Sequence, residues 1–347
     1  MEASILDDTR KILSILRKKG FDIVLEKSVA SSLKKEGTPL RKMDIDVFVV
    51  LGSDSFLLKT LQELGNSDTP ILPIASKGQD DFLFDVSASE FDTIVSDLVE
   101  EKWTQDRHTR LTANIQGKDI TPVLNEIGIF CKRSATLLRY SLSLNDEVFW
   151  KDGSDGLIIA TPTGSTAYSM SVGGPVVLHP SEVFSIIPVN SVNPSRRTLI
   201  VPSNMIIEIS DLSSSVSIEV ILDGQKRVKA GDSPIVIKKS DADAIFVKFD
   251  EERLSALRGK LQRKTENSEQ LQHGLPPSAK LILKVLEYND QLTQKQIIEE
   301  SMLPSRTVRY ALSLLISEGL IQKHTSLRDS RQALYSHKRV PRKKKEN

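Results

Sequence analysis

The residues of this sequence best placed for chemistry lie in one run. Asp155-Gly156 opens it, apolar Leu157 to Ala160 follows, and Thr161-Pro162-Thr163-Gly164-Ser165-Thr166-Ala167-Tyr168 leads on to Gly173-Gly174-Pro175. A strand running into a hydroxyl-rich turn broken by glycines sets several donors and acceptors beside a backbone that a ligand can approach closely. A β-turn closed by Ser and Thr caps is the other reading of the same composition. A second run, Ser305-Arg306-Thr307-Val308-Arg309-Tyr310, places Arg306, Thr307, Arg309 and Tyr310 off the apolar face of a helix. The histidines, His108, His179, His273, His324 and His337, are scattered without ligand spacing. Each is read as structural or surface, and no metal cluster is expected.

Elements must position these runs. Ile5, Ile12, Leu13 and Leu16 recur at helical spacing up to Gly20, and Phe21 to Leu25 reads as a short strand. Val47 to Leu51 is an apolar strand followed at once by Gly52, Phe56 to Leu64 has helical period, and Ile71 to Ile74 is a third strand. Strand, helix, strand is a βαβ unit whose parallel strands are buried on both faces. Phe91 to Trp103 supplies another helix. From Thr104 the texture becomes strand-rich: Glu126 to Phe130, Gly156 to Ala160, Thr198 to Val201, Met205 to Ser210, Val216 to Leu222 and Ser233 to Lys238, separated by turn residues. This reads as an all-β sandwich. Asp250 to Lys264 looks helical, and Thr265 to Gly274 is polar without periodicity, as a linker is.

Beyond the linker, Ser278 to Tyr288 is an amphipathic helix. Thr293 with Gln296 forms a capping box for a second, and Ser305 caps a third that carries Val308, Leu312, Leu315 and Ile316 and ends at Gly319. Leu320 to Thr325 and Arg331 to His337 alternate as two strands, completing a winged helix-turn-helix. The expected architecture is an α/β nucleotide-binding domain over 1–103, completed by 239–264, and a β-sandwich over 104–238. A linker at 265–274, an α+β winged helix-turn-helix at 275–337 and a basic tail at 338–347 complete it.

Charge divides along the same line. The 347 residues carry 47 Lys and Arg against 46 Asp and Glu, a net +1. From His273 onward 14 basic residues face 7 acidic ones, a balance of +7, while the first 272 residues hold 33 against 39, a balance of −6. An acidic body and a basic end suggest different partners, one of them polyanionic. The single Cys131 excludes an internal disulfide framework and fits a reducing compartment. No run approaches the ~18 apolar residues of a membrane helix, and Met1 to Lys19 is amphipathic and charged, unlike a signal peptide. A cytoplasmic protein without membrane contact is expected.

The Asp155 to Tyr168 run resembles the hallmark of the NAD kinase family nearly letter for letter. In the family's order, Leu124-Asn125-Glu126-Ile127 resembles its Asn-Glu motif, Pro188 to Pro202, with Arg197 before Thr198 to Pro202, the run before its late hairpin, and Asp223-Gly224-Gln225 with Gly231-Asp232 the hairpin itself. The resemblance covers about Ile5 to Lys260. It implies an α/β domain with a β-sandwich, transfer of phosphate from ATP or polyphosphate to the 2′-hydroxyl of NAD with Mg²⁺ to give NADP, and assembly as dimers or tetramers. It further implies that Asn125 and Glu126 hold the ribose hydroxyls and the adenine side of NAD. Asp155 would meet the nicotinamide end, and Thr163, Thr166, Ala167 and Tyr168 would line the nucleoside pocket. A turn-capping role is the other reading of Asn125.

Three departures from the family pattern stand out. Where the family has Gly-Gly-Asp-Gly-Thr, this chain has Gly52-Ser53-Asp54-Ser55-Phe56. The resemblance makes Asp54 the general base and Gly52, Ser53 and Ser55 the phosphate loop. Each serine adds a β-carbon, which costs roughly 1–2 kcal/mol if the loop requires positive φ, and Phe56 puts an apolar ring where a hydroxyl stood. The family's next glycine-rich loop appears as Ile74 to Phe82, with Gly78 and Phe82 as its relics and Lys77 either touching phosphate or simply solvated. The family opens with a strand, whereas this sequence opens with the first helix.

The C-terminal module resembles winged-helix regulators. There Arg306, Thr307, Arg309 and Tyr310 would read a major groove, Arg328 and Arg331 on the wing would reach phosphate or the minor groove, and the tail from Lys338 to Lys345 would add salt-sensitive attraction. Winged helices also serve in protein docking. Two readings follow: an NAD kinase with an appended DNA-binding domain, or a regulator whose kinase-derived fold binds NAD or NADP without turnover.

Overall fold

The computed structural model describes residues 3–76, 82–134, 136–249, 260, 276–288, 291–301, 303–325 and 333–337. The chain forms two compact units, Met1–Glu251 and Glu252–Asn347. The first begins with α1 (Ala3–Lys18) and a single-turn α2 (Lys27–Ser32), then β1 (Phe48–Gly52), α3 (Asp54–Leu64) and β2 (Ile71–Ala75). β1 and β2 are parallel, with Phe48 opposite Ile71 and Gly52 opposite Ala75. The sheet runs β1-β2-β17-β4, where β4 is Thr104–His108 and β17 is Ala244–Lys248, and a short β3 (Val86–Ser87) also pairs with β2. The first sheet therefore takes one strand from beyond Trp103 and one from the end of the unit.

The apolar run of β2 packs on both faces. Ile71 meets Leu57, Leu58 and Leu61 of α3, while Leu72 and Ile74 meet Ile12 and Leu16 of α1 and Phe91, Val95 and Leu98 of α4 (Phe91–Val99). α4 stops before the expected Trp103 because Glu101 takes a left-handed φ of 54°. Phe21 to Leu25 is not a ladder strand. Glu26 pairs in an isolated bridge with Thr38, and its carboxylate accepts the Ser28 and Val29 amides, turning the chain into α2 instead.

The sandwich consists of two six-stranded sheets. One runs β12 (Leu199–Pro202), β11 (Val183–Val189), β10 (Gly156–Ala160), β7 (Glu126–Cys131), β14 (Ile218–Leu222) and β15 (Lys226–Lys229). The other runs β6 (Lys118–Asp119), β5 (Leu111–Ile115), β16 (Ile235–Lys239), β13 (Ile207–Ser213), β8 (Leu138–Leu144) and β9 (Glu147–Ser154). Alternation along β7 and β10 sends Ile127, Ile129, Leu157 and Ile159 into the inter-sheet core with Leu142, Ile209 and Ile237. It sends Ile158 and Ala160 to the outer face, against Phe130 and Val172.

In the second unit α6 (Pro277–Tyr288), α7 (Gln294–Ser301) and α8 (Ser305–Ser317) surround a core of Ile282, Leu286, Ile297, Val308, Ala311, Leu312 and Leu315. A small sheet runs β18 (Leu292–Thr293), β20 (Ala333–His337), β19 (Ile321–Thr325). The Thr293–Gln296 capping box forms, with the Thr293 amide donating to Gln296 Oε1 at 2.8 Å and the Gln296 amide to Thr293 Oγ1 at 3.3 Å. Pro304, not Ser305, is the N-cap of α8, and Ile316 is exposed while Ala311 takes its place in the core. Nearly all of Asp250 to Lys264, the Thr265 to Gly274 segment, Lys77, Arg328, Arg331 and the tail from Lys338 lie outside the described residues. No helix of the described residues is long and apolar enough to cross a membrane.

Candidate functional site

The Asn125 segment is held by atoms from two distant stretches. Asp223, buried at the β14–β15 turn, accepts the amides of Leu124, Asn125 and Glu126 at 2.9, 2.7 and 3.2 Å. Burial pushes its carboxyl up to about 6 against the opposing pull of these hydrogen bonds. Thr161 closes the other side: its amide donates to the Asn125 carbonyl at 2.9 Å, and its hydroxyl donates to the Leu124 carbonyl at 2.6 Å. Gly164 lies so close that a β-carbon there would stand 2.0 Å from the Asn125 carbonyl oxygen. Asn125 is 8% exposed, and its side-chain oxygen has no hydrogen-bond partner among the described residues. A buried acceptor of this kind beside a hydroxyl-rich turn is unusual, because buried polar atoms are nearly always hydrogen-bonded.

Downstream, Thr163–Thr166 forms a 3-10 turn and Tyr168–Ser171 a single helical turn, α5. Together they fold the chain back over the outer face of the sheet. The Thr166 hydroxyl donates to the Thr163 carbonyl at 3.2 Å. Tyr168 is 42% exposed, and its ring centroid lies 5.8 Å from that of Phe130. The Phe130 ring in turn fills the space above Gly156, where a β-carbon would stand 2.2 Å from it. Asp155, bonded by Asn190 Nδ2 at 2.9 Å, sits at the opposite end of β10 from Thr161, roughly 20 Å along the strand. The structure therefore brings Asn125, Glu126, Thr163 and Thr166 together at one end of the sheet, while Tyr168 reaches along the face toward Asp155.

The phosphate-loop candidates occupy a one-residue connection. β1 ends at Gly52, Ser53 is extended with φ −116° and ψ 167°, and α3 begins at Asp54. None of Gly52, Ser53 and Ser55 takes a positive φ, so the serines cost nothing in backbone strain. Asp54 accepts the Phe82 and Leu83 amides, each at 2.8 Å. The Ser55 hydroxyl pairs with the Gln225 side chain at 3.0 Å, which ties this turn to the hairpin carrying Asp223. Phe56 is 47% exposed and sits against Gly52, where an added β-carbon would stand 3.1 Å from its ring.

The histidines are not all scattered. Asp106 on β4 receives His108 Nε2 at 3.2 Å and His179 Nε2 at 3.0 Å. The two imidazoles stack with centroids 4.3 Å apart and planes 5° apart. Burial alone would raise the Asp106 carboxyl, but the two histidine hydrogen bonds outweigh it and hold the group well below the usual carboxylate range. Burial is also the main cause that keeps His108 below its ordinary value. His108 Nδ1 lies 2.7 Å from Thr163 Oγ1, so the cluster abuts the hydroxyl-rich turn. Asp106, His179 and Phe130 carry no signal as site residues in the sequence, and Asp223 and Gln225 stand there only as part of a motif, because His179, Phe130, Asp223 and Gln225 act on partners remote in sequence. In the second unit, Arg306, Arg309 and Tyr310 are exposed on the first turns of α8 and Thr307 is partly exposed, opposite buried Val308 and Ala311.

Residues 124–249 match the family described as ATP-NAD kinase C-terminal domain, and residues 273–332 match the MarR family. The NAD kinase of Methanocorpusculum labreanum is 34% identical over 235 residues, 67% of this chain and 85% of that protein. That of Methanothermobacter thermautotrophicus is 28% identical over 263 residues, 75% of this chain and 92% of that protein. Among solved structures, yeast NADH kinase complexed with NADH shares the fold at TM-score 0.69 and 21% identity, over 75% of this chain and 84% of that one. An Archaeoglobus fulgidus NAD kinase in complex with ATP aligns at TM-score 0.59 and 26% identity, over 73% and 94%. The first unit has the α/β and β-sandwich layers of these relatives and the second the helices and small sheet of a winged helix, and the chain belongs to the NAD kinase family.

Proposed function

We propose that the protein transfers phosphate from ATP or polyphosphate to the 2′-hydroxyl of NAD, giving NADP, and binds DNA through its winged helix. The observation that carries this reading is the buried, open side-chain oxygen of Asn125, held by Asp223 and Thr161 beside the Thr163 to Tyr168 run. A ribose hydroxyl supplies the missing donor. Asn125 and Glu126 hold the ribose and adenine side, Thr163, Thr166, Ala167 and Tyr168 line the nucleoside pocket, and Asp155 takes the nicotinamide end. Asp54 removes the 2′-hydroxyl proton as that oxygen bonds to the terminal phosphorus, and the bond to the leaving phosphate oxygen breaks. Gly52, Ser53 and Ser55 at the start of α3 receive the donor's phosphates.

The described part of this turn offers one carboxylate, Asp54, with both oxygens already accepting amides. Mg²⁺ would therefore be held mainly by phosphate oxygens and water, where it would neutralise phosphate charge. Purified protein supplied with NAD and ATP or polyphosphate should form NADP. Asp54→Asn should slow the rate by about 10²-fold or more, and NADP formation no faster in the wild type than in Asp54→Asn would defeat the kinase reading.

A second reading, an NAD- or NADP-responsive regulator without turnover, is favoured by Phe56 lying against Gly52. It needs only different affinities of two states for the nucleotide. Arg306, Thr307, Arg309 and Tyr310 would contact the major groove, and Arg328 and Arg331 would add contacts to phosphate or the minor groove. Two such modules on one operator suit a cytoplasmic homodimer or homotetramer. A gel shift on the DNA upstream of the protein's own coding sequence should show binding that Arg306→Ala/Arg309→Ala removes and that NAD or NADP alters.

A further inference from the structure

We propose that Asp106, His108 and His179 form a binding site for one divalent transition-metal ion of the zinc class, separate from the nucleotide's magnesium. One ligand atom from each residue lies within 4.8 Å of the other two. His108 Nε2 stands 3.2 Å and His179 Nε2 3.0 Å from the two oxygens of the same carboxylate. Those spacings match the edges of a coordination shell whose metal–ligand bonds are about 2.0–2.2 Å long. Both Nε2 atoms lie beside the Asp106 carboxylate, but the rings are stacked with planes 5° apart, so an in-plane bond from each to one ion requires one imidazole to turn about its χ2 on binding. Two imidazole nitrogens and a carboxylate oxygen suit Zn²⁺, Co²⁺ or Ni²⁺ better than a hard cation that prefers oxygen alone.

The surroundings fit a metal ligand set. A ligating histidine is normally oriented by a hydrogen bond at its other ring nitrogen, and His108 Nδ1 has that partner in Thr163 Oγ1 at 2.7 Å. The His108 and His179 side chains keep 15% and 21% of their exposure, so an ion can enter, and Asp106 keeps 8%. Three protein ligands leave at least one position for water. Lys248 Nζ, 3.9 Å from Asp106, is the opposing charge, but it is closer to Asp85 at 3.3 Å. The ion would join β4 of the first sheet to the turn at Thr163 and to the segment carrying His179. The competing occupant of this convergence is a pair of ring protons donated to the carboxylate, and experiment separates the two.

The full chain without a histidine tag, stripped by a chelator and dialysed against Zn²⁺ or Co²⁺, should retain one ion. The Co²⁺ form should show ligand-field absorption and two hyperfine-shifted imidazole N–H resonances. His179→Gln should weaken retention at least tenfold. A wild type that keeps no ion through dialysis, or lacks both N–H resonances, would overturn the site. So would a folded His179→Gln protein with an unchanged Co²⁺ spectrum. Because the resonances are read from the wild type alone, the test stands even if His179→Gln fails to fold.

Discussion

The two sides of the proposed nucleotide site are built in opposite ways. On the nucleoside side, Leu124 to Glu126, Thr161 to Gly164 and Asp223 interlock through buried hydrogen bonds, and Gly164 leaves no room for a side chain. On the phosphate side the chain passes from β1 to α3 through Ser53 alone, in an ordinary extended conformation. The first arrangement fixes residue identity through packing, whereas the second fixes only the backbone path. A sequence can therefore replace glycines and threonine by Ser53, Ser55 and Phe56 at little cost to folding, while the same freedom at Gly164 is denied. Where a family pattern is broken without strain, what changes is the ligand chemistry, not the fold.

The strongest challenge to this contrast uses one substitution on each side. Gly164→Ala places a methyl carbon 2.0 Å from the Asn125 carbonyl oxygen, whereas Gly52→Ala places one 3.1 Å from the movable Phe56 ring. Urea unfolding should show a loss of about 3 kcal/mol for Gly164→Ala and under about 1 kcal/mol for Gly52→Ala. Equal losses would mean that the phosphate-side turn is as tightly determined as the other.

The same contrast governs what could be seen in the sequence. β1, α3 and β2 were legible because contiguous apolar runs and helical periodicity are local signals, and the Thr293–Gln296 box because both partners lie within one turn. β4, Thr-Gln-Asp-Arg-His, has no apolar residue and gave no strand signal. Its buried Asp106 is satisfied by His108 on the same strand and by His179, 73 residues away. The hallmark run was visible as a run, but the atoms that hold it come from Asp223, 98 residues beyond Asn125, and from His108, 55 residues before Thr163. Spacing along a chain cannot report such pairs. Phe130 was read only as the end of a strand, and its part in the site emerges from the glycines and Tyr168 that the folded chain brings around it.

Asp223 provides the next test. Its folded value of about 6 lies above the ordinary 3.8, so its contribution to stability is fully present below about pH 4 and is lost as pH rises through about 6. The shift corresponds to a change on the order of 3 kcal/mol. Asp223→Asn cannot titrate and lacks that slope. Across unfolding curves taken between pH 4 and pH 7.5, the wild type should therefore lose stability relative to the variant. A constant difference would show that Asp223 is charged in both states, and that its three amide bonds outweigh its burial.

The smallest effect on stability should come from Phe56, and it separates the two sides most directly. The ring is 47% exposed and its nearest constraint is Gly52, so Phe56→Thr should change stability by no more than about 0.5 kcal/mol. It uncovers the start of α3 and supplies a hydroxyl for phosphate. If the two sides bind separate parts of the reaction, KM for ATP or polyphosphate should fall several-fold and KM for NAD should stay put. A matching fall in both would mean that the ring acts on the whole site, through the Ser55–Gln225 contact to the Asp223 hairpin. The double variant Phe56→Thr/Ser55→Ala discriminates, because without that contact a shared effect on NAD should disappear while the donor's gain remains.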